Sequence, residues 1–219
     1  MTQIPDTLSG AAAALTGLVA LAVVAPIAGW QFIRHGAVMA HEGAHAVIVS
    51  LLARQFDGID LNIDATGETH RNATGGCLGE IILFFVGYVG PSLFGLGAAW
   101  AIHLGHSESV LWVALALLVV LLLGLRWNYG IITVIFTGTL VYLVARYTPT
   151  GLQITAAYFL TWLLLLSGVR GILYRGPDSG DGANLKRLTG IPRLIWFLIW
   201  LAATLGAVAL GGKMLVMSA

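Results

Sequence analysis

The sequence predicts an all-α polytopic membrane protein of about seven transmembrane helices, with a small β-hairpin between the second and the third. Three observations lead to this fold class. Of 219 residues, 58% are hydrophobic and 10% are charged, whereas about a quarter of a soluble domain is charged. Seven apolar runs are long enough to cross a bilayer. One short stretch alternates apolar and polar residues, which is typical of a half-exposed strand.

The seven apolar runs define the predicted spans. The first run, 10–33, carries no charged residue, and Pro26 predicts a kink in it. Arg34 and His35 end this run, and the second helix is expected over 36–54. The other five runs have the length of ordinary spans. They cover 78–102, 109–125, 129–145, 151–169 and 194–212.

The stretch 55–76 differs from the spans around it. Ile59, Leu61 and Ile63 alternate with polar residues, and a turn is expected at 65–67. A second strand returning from this turn would complete a small hairpin at the membrane face. Its first strand offers an edge, Ile59 to Ile63, that could hold an unwound substrate segment as an added strand.

The charge distribution argues against a nucleic-acid partner. The net charge is +1, and the few Arg and Lys residues lie scattered at the ends of apolar runs. The single cysteine, Cys77, cannot form an internal disulfide. The lipid bilayer is therefore the expected environment, and 1–219 is expected to be a single integral-membrane domain.

The strongest chemical signal is the run His41-Glu42-Gly43-Ala44-His45 in the second predicted helix. Residues four apart share one helix face, so His41 and His45 can bind one metal ion together. Glu42 then lies beside that metal, where it can accept a proton from a metal-bound water. Zinc is the expected metal, because it accepts three protein ligands and leaves one position open. Ionisable groups at membrane depth also indicate function.

A third protein ligand is expected in the polar connection 174–193, which is rich in glycine. Asp178 and Asp181 are the candidates there, because a zinc site with two His needs one more ligand. Gly180 and Gly182 would let the backbone bring the Asp181 carboxylate close.

Strict alternation of seven spans raises a difficulty for this ligand. It places His41 on the opposite side of the membrane from the connection that holds Asp181. A re-entrant or broken span would remove the difficulty, and so would a loop that dips into the bundle. We favour the first, because polar backbone at lipid depth is tolerated only in a protein-lined cavity. Otherwise His70 of the hairpin is the next candidate ligand.

Several motifs together resemble the site-2 protease family of intramembrane zinc metalloproteases, in its short bacterial branch without a PDZ domain. They are the His41 to His45 helix, the turn Ala65-Thr66-Gly67-Glu68-Thr69, the element Gly87-Tyr88-Val89-Gly90-Pro91-Ser92 and the late loop from Asp181 to Thr189. The resemblance implies zinc on His41 and His45, with Glu42 as general base. It also places the metal-binding Asp of the late loop on Asp181, and Gly90-Pro91 beside the substrate.

The sequence thus predicts a zinc-dependent endopeptidase that cleaves a peptide bond in or near a transmembrane segment of another membrane protein, as in regulated intramembrane proteolysis. A metal-binding transporter and an inactive membrane adaptor are the alternatives. A bacterial plasma membrane is the expected location. The positive-inside rule on seven spans predicts a cytoplasmic N-terminus and an external C-terminus.

Overall fold

The chain folds into eight α-helices and one two-stranded antiparallel sheet over the residues that the structure describes. The structure is a computed structural model, and it describes residues 7–52, 56–71, 76–126 and 129–217. In chain order the elements are α1 (Gly10–Val24), α2 (Ile27–Leu51), β1 (Phe56–Leu61), β2 (Gly67–Arg71), α3 (Cys77–His103), α4 (Ser107–Gly124), α5 (Tyr129–Tyr147), α6 (Thr150–Arg175), α7 (Gly180–Thr189) and α8 (Arg193–Met217).

Membrane spans make up most of this architecture. The helices α3, α4, α5, α6 and α8 are each long and apolar enough to cross a membrane. α1 and α2 qualify only as a pair, and they meet at an angle of 101°. The described residues therefore contain five candidate spans, or six if the bent pair counts as one. A multi-pass helical protein is confirmed, whereas the predicted count of seven spans is not.

The bend between α1 and α2 lies at Pro26, where the sequence predicted only a kink. Pro26 has an extended backbone, with φ −67° and ψ 148°, and it directly precedes the first residue of α2. Because proline has no N–H to donate, the helix stops and a new one starts in another direction. Arg34 and His35 therefore lie inside α2 and do not separate two helices. The predicted helix over 36–54 is the second part of α2, and residues 53 and 54 lie outside the described residues.

At one end of the bundle, the starts of α1 and α6 meet the end of α8. Ala13, Ile154 and Leu215 of these helices share one buried cluster. A Cβ added to Gly10 would lie 2.8 Å from the carbonyl oxygen of Val216. α1 thus begins beside the end of α8, which an even number of crossings produces and seven alternating spans do not.

At the other end, the predicted polar connection before α8 is largely helical and packs inward. It forms α7, which stops at Gly190 in the left-handed conformation, with φ 75°. Leu185 of α7 is buried in a cluster with Val89 of α3 and Trp200 of α8. α7 therefore dips between two membrane helices instead of lying over them.

The predicted hairpin is present at this same end. β1 and β2 pair with Ile59 opposite Thr69. The outer edge of β1 is already in use, because the Arg126 amide donates to the Ile59 carbonyl oxygen at 3.0 Å. Among the described residues no further strand pairs with β2, whose residue Thr69 contacts α2. The strand edge that faces the metal-binding helix is therefore that of β2.

Candidate metal centre

The two histidines of the metal-binding helix meet as their spacing predicts. His41 and His45 lie one turn apart on α2, and their Nε2 atoms are 3.1 Å apart. His45 is 6% exposed, and its Nδ1 lies 3.0 Å from the carbonyl oxygen of Leu83 in α3. A carbonyl only accepts, so Nδ1 carries the proton and the Nε2 lone pair is left for a metal.

Asp181 reaches the same point from α7. Its Oδ2 lies 3.2 Å from His41 Nε2 and 3.5 Å from His45 Nε2. The first turn of α7 is held by Ser179, whose Oγ accepts from the Gly182 amide at 3.2 Å. The unperturbed pKa of an aspartate side chain is about 3.9, and a neighbouring cation favours its charged form further. The group is therefore an anionic carboxylate at neutral pH.

The separations of the three ligand atoms suit a tetrahedral ion. Two ligands at about 2.0–2.1 Å from such an ion lie about 3.3 Å apart. The observed separations are 3.1, 3.2 and 3.5 Å. His41, His45 and Asp181 are also the group of potential metal ligands found among the described residues. Two imidazoles and a carboxylate therefore fit zinc and leave a fourth position open.

Gly87 makes room for this centre. A Cβ at this position would lie 2.5 Å from His45 Nε2 and 2.7 Å from His41 Cε1. Gly90, three residues later, faces Ala44 of α2 too closely for any larger side chain. The two glycines let α3 lie directly against the metal-binding face of α2, and Pro91 is accommodated inside the same helix.

Glu42 is held by the hairpin. Its side chain is buried, and Oε2 accepts a hydrogen bond from Thr69 Oγ1 at 2.7 Å. A Cβ at Gly67 would lie 2.7 Å from Oε1. Glu42 thus lies beside the ligand group without belonging to it. A cavity of about 520 Å³ opens over Glu42, His41 and Asp181.

A comparison with protein families bears on this arrangement. The family model described as Peptidase M50B-like matches residues 14–211. The chain belongs to the M50B-like peptidase family. This match supports the resemblance to the site-2 protease family and implies a metalloprotease. No match to a curated protein or to a solved structure was found.

Two alternative ligands lie elsewhere in this M50B-like peptidase. Asp178 is exposed, and its Oδ1 accepts from Arg193 Nη1 at 3.0 Å. His70 Nε2 lies 2.6 Å from Asp60 Oδ2 on the hairpin. Neither belongs to the group formed with His41, although His70 lines the cavity.

The residues predicted to bind substrate are only partly at the cavity. Pro91 lines it, whereas Gly90 lies behind it against α2. Ile59 and Leu61 are buried in a separate core cluster, and Ile63 is 71% exposed in the turn. None of these three lines the cavity, so the position of β1 does not favour the predicted substrate edge.

Three residues that contribute to the site, Gly87, Thr69 and Leu83, were not assigned a role from the sequence. The spacing of Gly87 and Gly90 by three residues was a signal, since both fall on one helix face. Thr69 lies in the quoted turn motif, but its contact with Glu42 spans 27 residues. Leu83 acts through its backbone carbonyl oxygen, so its residue type does not reveal this role in the sequence.

Proposed function

We propose that this M50B-like peptidase is a zinc-dependent endopeptidase acting on a membrane-protein substrate, with 1–219 as one catalytic domain. It would hydrolyse a peptide bond in or near a transmembrane segment of that substrate. The observation that carries the proposal is the convergence of His41, His45 and Asp181 beside the buried carboxylate of Glu42. These groups lie in a cavity within a bundle of membrane helices.

The chain supplies three ligands and one base in this proposal. His41 and His45 bind through Nε2, and Asp181 binds through a carboxylate oxygen. A zinc ion held there would polarise the scissile carbonyl and lower the pKa of a bound water. Glu42 accepts the proton of the attacking water and passes it to the leaving amine. Thr69 holds one carboxylate oxygen of Glu42, which leaves the other to take the proton.

The substrate segment has to unwind before it is cut, because helical backbone hydrogen bonds shield its peptide groups. We place the unwound segment along β2 and not along β1. The edge of β2 faces α2, and Gly67 to His70 line the cavity. An extended peptide paired with this edge would pass Glu42, which contacts both Gly67 and Thr69.

The structure favours this proposal over a metal transporter. A transporter would present several ligand groups along a path through the membrane. The described part of the chain contains a single group of three potential ligands. Glu42 lies directly beside it, where a hydrolase needs a base and a transporter needs none. An inactive adaptor would keep the same geometry, so only an assay distinguishes it.

The test combines zinc analysis with cleavage of a transmembrane peptide in detergent. The wild-type protein should bind zinc and cleave the peptide. Glu42→Gln should keep the zinc and lose about a hundred- to ten-thousand-fold in rate. His41→Ala should lose both. Full activity in Glu42→Gln would overturn the proposal, and zinc binding without any cleavage by the wild type would favour the adaptor.

A further inference from the structure

Arg34 lies on the same face of α2 as the metal ligands. It precedes His41 by seven residues, or two helical turns, which corresponds to about 10 Å along the helix axis. Trp30 lies a further turn back on this face. All three residues line the one cavity that opens over Glu42. Whatever occupies this cavity can therefore contact the metal centre and Arg34 at the same time.

The Arg34 guanidinium lacks an anionic partner among the described residues. Its Nη1 donates to the neutral hydroxyl of Tyr174 at 3.4 Å. Its Nε is buried and has no hydrogen-bond partner, and the same is true of Trp30 Nε1 one turn away. Unpaired buried donors and charges are costly. The Arg34 guanidinium, which lines the cavity, is therefore left without a counterion in the described part of the chain, and a negatively charged acceptor in the cavity would be stabilised most.

The charges of the cavity favour the same kind of ligand. With a divalent ion bound to two neutral histidines, Asp181 and Glu42 together balance the ionic charge. Three arginines then face a single further carboxylate on the cavity wall, which leaves an excess of positive charge. These residues are Arg34, Arg175, Arg187 and Glu68.

Among the three arginines of the cavity wall, Arg34 is the least exposed, since it is half-buried. Arg175 and Arg187 are exposed. Arg175 donates to the Ala65 carbonyl oxygen at 3.4 Å, and Arg187 donates to Asn184 Oδ1 at 3.3 Å. Exposed cations are screened by water and salt, so they contribute less to selection than Arg34 does.

We propose that Arg34 is the centre of an anion subsite that binds a carboxylate side chain of the substrate. An extended peptide rises about 3.3 Å per residue, so the acidic residue lies about three residues from the bond that is cut. This inference rests on the proposed function, because it takes the occupant of the cavity to be the peptide substrate. A lipid phosphate is the competing occupant, and it is disfavoured because Arg34 shares its cavity with the metal ligands.

A binding experiment tests the subsite without turnover. Zinc-loaded Glu42→Gln protein is placed in phosphatidylcholine nanodiscs with a fluorescent transmembrane peptide of Leu and Ala that has a central Gly-Gly pair. Glu or Gln is placed at each successive position on either side of the pair. At one position the Glu peptide should bind at least about tenfold more tightly, as expected for a charged hydrogen bond.

Variants of Arg34 then assign the effect. Arg34→Gln should bring the ratio of Glu to Gln affinity close to one, Arg34→Lys should keep part of it, and Arg34→Glu should favour a Lys peptide. Each variant is first checked for zinc content, which reports an intact fold. Arg146→Gln is the matched control, because Arg146 lies at the opposite end of the bundle against Tyr147, and it should keep the full ratio.

Several outcomes would contradict the subsite, and one further outcome separates it from the proposed function. A ratio of one at every position, a ratio that survives Arg34→Gln, or no peptide binding at all would overturn the subsite. An effect of Arg34→Gln that follows the phosphatidylglycerol content of the nanodisc, and not the charge of the peptide, would assign Arg34 to lipid and overturn it too. If the wild type cleaves no peptide but Glu42→Gln protein still discriminates, the proposed function fails and the subsite stands.

Discussion

The Thr69 hydroxyl donates a hydrogen bond to Glu42 Oε2 at 2.7 Å, and this bond joins the edge strand of the hairpin to the metal-binding helix. The same hydroxyl lies 3.5 Å from the Glu42 carbonyl oxygen. The single proton of this hydroxyl goes to the nearer carboxylate oxygen, so Thr69 orients the side chain of the proposed base. The hairpin thus positions the proposed base.

Removing this bond should lower the rate without affecting the metal. In Thr69→Val the shape of the side chain is kept and the donor is lost, so the Glu42 carboxylate is no longer oriented. A hydrogen bond to a charged group is worth roughly 1.5–3 kcal/mol, so kcat should fall about tenfold or more. Zinc content should equal that of the wild type. Thr69→Ser, which keeps the donor, should restore most of kcat, and equal rates for Val and Ser would contradict the role.

Gly87→Ala should abolish zinc binding. The new Cβ would lie 2.5 Å from His45 Nε2, a separation that forces the imidazole or the helix to move. Gly97→Ala on the same helix is the matched control, since its added Cβ would meet no atom of another helix within 4 Å. The control should bind zinc normally and be slightly more stable, because alanine favours helix over glycine by roughly 0.5–1 kcal/mol. Equal zinc affinity in both variants would rule out the close-approach role.

Asp181→Ala should lose zinc, whereas Asp178→Ala and His70→Ala should retain it. Asp181 Oδ2 lies 3.2 Å from His41 Nε2, while the other two side chains are paired with Arg193 and Asp60. The measurement is zinc stoichiometry and affinity for the three variants side by side. Wild-type affinity in Asp181→Ala would refute the assignment, and loss in His70→Ala alone would move the ligand to the hairpin.

Ser179→Ala should weaken zinc binding by loosening the first turn of α7. Loss of a serine N-cap costs about 1 kcal/mol, which corresponds to about fivefold in affinity if it acts through Asp181. Ser9→Ala is the control, since Ser9 caps α1 in the same way, accepting from the Ala12 amide at 3.3 Å. Both variants should lose a similar amount of thermal stability, but only Ser179→Ala should lose zinc affinity. Equal zinc affinities would show that the cap does not position Asp181.

The membrane orientation predicted from the sequence changes with the observed connectivity. The end of the bundle that carries the hairpin and α7 is richer in basic residues, so the positive-inside rule places it in the cytoplasm. α1 starts at the other end, which predicts an external N-terminus in place of the cytoplasmic one. The basic residues of the richer end include Arg71, Arg126, Arg170, Arg175, Lys186, Arg187 and Arg193, against Arg146 and Lys213.

Cysteine labelling tests this orientation. The exposed Cys77 is first replaced by serine, and Ile63→Cys and Ser109→Cys then report the two ends. An impermeant maleimide added to intact cells should label Ser109→Cys and should reach Ile63→Cys only after permeabilisation. The reverse pattern would restore the cytoplasmic N-terminus.

Local patterns in the sequence were sufficient for several features. The spacing of His41 and His45, the apolar runs and the alternation before Ile63 each depend on neighbours a few residues away. Such periodicities are fixed by the geometry of a single helix or strand. For this reason the metal-binding helix face, the hairpin and the multi-pass helical class could be predicted without a structure.

Other features depend on contacts between distant parts of the chain. The predicted helix boundary at Arg34 was wrong, because the helix ends before Pro26 and α2 starts directly after it. The apolar run 10–33 gives no sign that α1 and α2 meet at an angle of 101°. The bend and the inward packing of α7 together bring Asp181 to His41, across 140 positions of the chain. The two arrangements that would remove the topological difficulty, a broken span and a connection that dips into the bundle, are therefore both present in the structure.

The sequence by itself determined the kind of chemistry at the site, since two histidines and a glutamate at this spacing are typical of only a few kinds of metal site. Tertiary structure alone decided which acidic side chain joins the two histidines, which glycine allows α3 to approach them and which strand edge faces α2. These are properties of packing, where Gly87, Thr69 and Asp181 act through neighbours that lie far away in sequence. No local pattern records such neighbours, because side-chain packing is settled only when the helices meet.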